Sequence, residues 1–88
     1  MIKILFVCHG NICRSPMAEY VMKNIIKNND LDKEIYIESA ATSTEAIGRG
    51  IYPPARELLE LNGIYCSDKI SRQIIKDDYE RFDMLVGM

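Results

Sequence analysis

An apolar run, Ile2-Lys3-Ile4-Leu5-Phe6-Val7, leads directly into Cys8-His9-Gly10-Asn11-Ile12-Cys13-Arg14-Ser15, then into Pro16 and a helical pattern. This passage restricts the fold more than any other. A run that is apolar on both faces predicts a strand buried within a sheet. Cys8 then stands at the end of that strand, and Arg14 at the mouth of the helix. A bare Cys…Arg pair arises easily by chance, and a buried inert cysteine after a strand is common. Here the strand before, the Gly and Asn within, and the Ser and Pro after make a structured turn of it.

A strand-loop-helix turn can aim successive backbone N–H groups into one concavity, which binds anions. The helix start adds free N–H groups and the positive end of its dipole. Arg14 offers a planar fork of donors for two phosphate oxygens. The same positive surroundings favour the thiolate of Cys8, the nucleophilic form. Gly10 is expected to give close backbone approach or φ > 0, and Asn11 to hold a left-handed turn. Ser15 reads as the N-cap, with its hydroxyl also in reach of the Cys8 sulfur, and Pro16 as the first helical residue. The candidate anion-binding residues are therefore His9, Gly10, Asn11, Ile12, Cys13, Arg14 and Ser15, with Cys8 as nucleophile and Arg14 also catalytic.

Strand and helix patterns alternate along the chain. Residues 2–7 read as a strand. Residues 16–28 read as an amphipathic helix with Met17, Ala18, Val21, Met22, Ile25 and Ile26 inward, and Glu19, Lys23, Asn24 and Lys27 off the stripe. Residues 35–39 read as a second strand and 40–52 as a long loop. A helix over 53–62 starts at proline and stops at Gly63. A short helical turn near 77–81 precedes a strand at 84–86. This order implies an α/β fold with a small parallel sheet, the first strand in the middle. The loop after that strand then lies at the carboxyl edge, where such sheets bind ligands.

Composition narrows the function. With 88 residues there is one domain at most, and 48% hydrophobic residues is too many for a disordered tail. A net charge of −2 leaves no overall basic surface for nucleic acid, so whatever attracts phosphate is local. No apolar run approaches membrane-spanning length, and the apolar start is too short for a signal peptide. Three cysteines make no disulfide framework, which fits a reducing cytoplasm. No cofactor is indicated. Cys8, His9 and Cys13 supply at most three ligands, too few for a closed zinc site.

The loop resembles the phosphate-binding loop of the low-molecular-weight protein tyrosine phosphatases, Cys-(x)5-Arg-Ser. Ser39-Ala40-Ala41-Thr42-Ser43, Pro53-Pro54-Ala55, Asn62-Gly63-Ile64 and Phe82-Asp83-Met84-Leu85-Val86-Gly87-Met88 follow the family order. The resemblance implies a three-layer, Rossmann-like sandwich of the phosphotyrosine phosphatase I type. Residues 1–88 would form the N-terminal part of that domain, without the family's C-terminal strand and helix. It implies hydrolysis of phosphotyrosine in proteins, or of small aryl phosphates, through a cysteinyl-phosphate. Inorganic phosphate would be product and inhibitor. It further implies that Ser39 bonds Asn11 and supports the loop, and that Cys13 can pair reversibly with Cys8; a strand-end serine and a small buried cysteine are the plain alternatives. The family's late Asp-Pro, whose aspartate is the general acid, has no counterpart, since the prolines here follow Ser15, Tyr52 and Pro53. Impaired turnover and self-association through an uncovered strand at 84–86 are expected. A phosphate-binding pseudo-enzyme is the alternative. An arsenate reductase is disfavoured, because only Cys66 lies downstream. A related phosphoarginine phosphatase has threonine where this chain has Ile12.

Overall fold

The computed structural model describes all 88 residues. Its elements are β1 (Ile2–Cys8), α1 (Arg14–Asn28), β2 (Ile35–Ala41), α2 (Pro53–Leu61), α3 (Lys76–Arg81) and β3 (Met84–Gly87). The sheet is parallel, in the order β2-β1-β3, so the two-sided apolar strand is central as expected. Ile4 pairs with Ile37 on one side and Met84 on the other.

Side chains alternate between the faces of a strand. Leu5 and Val7 share one face with Ala40 and Leu85, and Phe82 and Ile74 pack there. The opposite face carries Ser39, which bonds Glu19 of α1. Helix α1 covers that face of β1 and β2 and also meets α2. A second apolar cluster, Tyr20, Ile51, Ala55, Leu59 and Cys66, joins α1, α2 and the stretch after α2. The result is three layers, with segment 72–82 on the far side of the sheet from α1.

Three local expectations are corrected. Helix α1 begins at Arg14, because the Cys13 carbonyl already accepts the Met17 N–H at 3.0 Å. Cys13 is thus the N-cap position, Ser15 is not, and Pro16 falls third in the helix, where a missing N–H is still harmless. Strand β2 runs on to Ala41, because the Ala41 N–H reaches the Arg72 carbonyl (2.7 Å) and its carbonyl accepts the Ile74 N–H (2.8 Å). The buried face of α1 is also rotated from the expected stripe. Glu19 and Tyr20 are buried, while Val21 and Ile25 are 41% and 50% exposed. Glu19 is tolerated inside because Lys69 (3.1 Å), Lys23 (2.6 Å) and the Ser39 hydroxyl all meet its carboxylate. Tyr20 keeps its hydroxyl bonded to Asp68 at 3.0 Å.

Helix α2 starts on Pro53 and Pro54 as expected. The Asn62 side chain bonds the Leu58 carbonyl, and Gly63 turns the chain out at φ 75°. Strand β3 is an edge, paired with β1 alone.

Candidate active site

The end of β1 and the start of α1 place Cys8 and Ser15 side by side, Sγ to Oγ 2.9 Å, both buried. The Asn11 backbone N–H also points at the Cys8 sulfur, N to Sγ 3.3 Å. Asn11 is fully buried and sits at φ 56°, the left-handed region that its short amide side chain tolerates. Gly10 does not take positive φ, and a Cβ there would meet Ile12 Cγ1 at an ordinary 3.6 Å. The expected left-handed residue of the loop is therefore Asn11 alone.

Hydrogen-bond directions can be assigned from the network. Asn11 Oδ1 accepts the Arg72 backbone N–H at 3.2 Å, which identifies the other amide atom as Nδ2. Nδ2 then donates to both Ser15 Oγ and Ser39 Oγ, each at 2.8 Å. Each hydroxyl, having accepted, turns its own proton onward. Ser39 donates to the Glu19 carboxylate, and Ser15 donates to the Cys8 sulfur when that sulfur is a thiolate. Lys69, paired with Glu19, also caps the Ser39 carbonyl at 3.0 Å. One buried amide thus aligns a donor on the thiol, and no buried side-chain polar atom lacks a partner.

Electrostatics follow this geometry. Burial pushes the Cys8 thiol up, but the Ser15 hydroxyl and the backbone N–H groups of Ser15, Asn11 and Gly10 outweigh it. The net pKa lies below the ordinary thiol value. Cys66 behaves oppositely, since burial and then Glu60 push its thiol up. All three cysteines are free. Iodoacetate at neutral pH is expected to label Cys8 at least about tenfold faster than Cys66, with phosphate protecting Cys8. Peptide mapping after partial alkylation checks this, and faster labelling of Cys66 would contradict it.

The remaining loop residues sit around this centre. Arg14 is exposed and has no ion pair within the chain, so its guanidinium is available to a ligand. The exposed His9 ring meets Glu45 at 3.0 Å, and the His9 carbonyl is held by Ser43. The Ile12 carbonyl accepts the Tyr52 N–H at 2.7 Å. Cys13 is half-buried against the apolar cluster of Tyr20 and Leu59. No group of His, Cys, Asp and Glu is gathered that could hold a metal ion. The hollow between α1 and α2, lined by Met17, Val21, Leu58 and Ile64 among others, includes none of the loop residues.

Sequence reasoning missed the loop's supports: Glu19, Lys69, Ser71, Arg72 and Asp78. Ser71, buried, donates its hydroxyl to the Gly10 carbonyl at 2.8 Å. Arg72 is locked by Asp78 in a two-point ion pair, both bonds 3.0 Å, and also meets Glu38 at 3.2 Å. Asp78, fully buried, also caps α3 by accepting the Ile75 N–H. Burial pushes its carboxyl up, but Arg72 and that N–H hold it below the usual carboxylate range. Asp78 therefore both caps α3 and anchors Arg72. A run of Ser-Arg in an irregular stretch gives no local signal of either role.

A family profile, "Low molecular weight phosphotyrosine protein phosphatase", matches residues 3–88. The chain belongs to this family. It is 40% identical over 85 residues to the Gallus gallus low molecular weight phosphotyrosine protein phosphatase, spanning 97% of this chain and 53% of that protein. The crystal structure of YfkJ from Bacillus subtilis superposes with a TM-score of 0.96 at 36% identity, covering 100% of this chain and 55% of that one. That of a Drosophila arginine phosphatase superposes with a TM-score of 0.93 at 32% identity, over 99% of this chain and 54% of that one. The chain thus spans about half the length of the relatives it matches. Within the family fold, the three-stranded parallel sheet and the loop after β1 occupy the part that these 88 residues share with the phosphatases.

Proposed function

We propose that the chain hydrolyses aryl phosphomonoesters, phosphotyrosine among them, through a cysteinyl-phosphate on Cys8. The observation that carries this reading is the convergence of the Ser15 hydroxyl and the Asn11 N–H on one buried sulfur at the mouth of α1. The Cys8 thiolate attacks phosphorus; an S–P bond forms as the P–O bond to the aryl group breaks, and the leaving phenolate takes a proton from solvent water. Arg14 and the loop N–H groups bind the three equatorial oxygens, whose charge needs fixed donors in the transition state. Water then attacks phosphorus, releasing a proton to solvent, and the S–P bond breaks to give inorganic phosphate and the thiolate. Ser15 stabilises the sulfur as it leaves.

These 88 residues contain no Asp-Pro pair to protonate a poor leaving group. Turnover by the chain as given is therefore impaired wherever that proton is needed. The same feature favours a second reading, a phosphate-binding chain that turns over little. Ile12 stands where a phosphoarginine phosphatase carries threonine, which supports the aryl substrate.

Turnover of p-nitrophenyl phosphate with inorganic phosphate as competitor tests the main reading. Wild type is expected to hydrolyse the ester and to be inhibited competitively. Arg14→Lys keeps the charge but loses the fork, so kcat is expected to fall about 10²-fold and phosphate inhibition to weaken about tenfold. Absence of turnover with phosphate still bound would favour the binding chain, and equal phosphate affinity in Arg14→Lys would remove Arg14 from the site.

A further inference from the structure

We infer that Ser71 is a positioning residue of the reaction, which keeps the Gly10–Asn11 peptide turned with its N–H toward the Cys8 sulfur. This rests on the reading of Cys8 as nucleophile. A trans peptide directs its carbonyl oxygen and its amide hydrogen to opposite sides, and no peptide in this chain is cis. The carbonyl of this peptide, on Gly10, receives the Ser71 hydroxyl at 2.8 Å. Its N–H, on Asn11, reaches Cys8 Sγ at 3.3 Å. A carbonyl has no proton, so Ser71 must be the donor. Polarising the carbonyl strengthens the N–H at the other end of the same amide.

The peptide needs holding. Asn11 sits at φ 56°, a region that L-residues visit at some energetic cost. Rotating the 10–11 peptide about its flanking bonds would relax Asn11 to ordinary negative φ. On the other side Gly10, without a Cβ, offers little resistance. The rotated peptide would aim a carbonyl oxygen at the thiolate and at any bound phosphate, turning attraction into repulsion. Ser71 blocks this, since the rotation would strip its hydroxyl of the Gly10 acceptor in a buried place.

Ser71 is itself well fixed. Its N–H bonds the Arg49 carbonyl at 2.8 Å and its carbonyl accepts the Gly48 N–H at 3.0 Å. Its neighbour Arg72 holds the Asn11 side chain through the backbone and is pinned by Asp78. Two consecutive residues therefore hold both the backbone and the side chain of the left-handed residue, from 61 positions away.

The test is the pH dependence of Cys8 alkylation by iodoacetate in wild type, Ser71→Ala and Ser71→Thr, with protection by inorganic phosphate measured on the same samples. Cys66 labelling serves as the control for loosened packing. In Ser71→Ala the Cys8 midpoint is expected to rise by about 0.3–1 in pH, and phosphate protection to weaken about 2–10-fold, the share of one hydrogen bond. Cys66 stays slow, and Ser71→Thr, if it folds, restores both values. An unchanged midpoint and unchanged protection in Ser71→Ala would overturn the proposal, as would a rise matched by faster Cys66 labelling, which would mean general loosening. A wild-type Cys8 with an ordinary thiol midpoint would instead overturn the reading of Cys8 as nucleophile and take this proposal with it.

Discussion

Cys8→Ser is expected to lower kcat toward p-nitrophenyl phosphate by at least about 10⁴-fold, while phosphate binding stays within a few-fold of wild type. The thiol is held below its ordinary pKa, which favours the nucleophilic anion over the neutral thiol. A serine hydroxyl in the same place titrates far too high for these hydrogen bonds to ionise it. The neighbouring imidazole, His9, turns its ring to Glu45 at the exposed side. In the proposed mechanism the oxyanion donors belong to the backbone and to Arg14, and the smaller oxygen leaves them in place. Steady-state turnover and phosphate inhibition or binding, measured on one preparation, check both halves. A variant within tenfold of wild-type kcat would mean that Cys8 is not the nucleophile.

The second large effect concerns the leaving group. Loss of a general acid typically costs about 10²–10⁴-fold where the departing oxygen needs a proton. Tyrosine, with a phenol pKa of about 10, needs it, and nitrophenol needs it far less. The 88-residue chain is therefore expected to favour p-nitrophenyl phosphate over phosphotyrosine by about 10²-fold or more in kcat. Kinetics with both substrates on mass-verified protein check this. Equal turnover would require an acid among these residues. Asp77 and Asp78 do not offer one: both lie in the first turn of α3, and Asp78 is buried and committed to Arg72.

Much of the fold could be read from local pattern. Strand β1 follows from a run apolar on both faces, and the limits of α2 follow from Pro53 and Gly63, whose backbone restrictions act at one position. The turn from Cys8 to Ser15 is legible for the same reason, because its residues and their spacing lie in one stretch. What failed was whatever depends on distant partners. Periodicity places Glu19 outward because it counts a carboxylate as solvated; Glu19 is buried because Ser39 and Lys69 arrive from 20 and 50 positions away. Local pattern reads Ala40 and Ala41 as loop, and it is pairing with β1 and with the 72–74 stretch that makes them strand. Serine at a helix start usually caps it; here the Ser15 hydroxyl is engaged by the Cys8 sulfur instead. Asn11 and Gly10 show the limit of reading conformation from residue type, since the residue freest to go left-handed does not, and the network around the other one holds it there.

Trapping the intermediate tests the central claim most directly. Rapid mixing with p-nitrophenyl phosphate, quenching within one turnover and peptide mapping by mass spectrometry should find one phosphoryl group on Cys8, and none in Cys8→Ser. A burst of nitrophenol equal to the enzyme concentration without any phosphoryl adduct on Cys8, or an adduct on His9 or a serine instead, would contradict it.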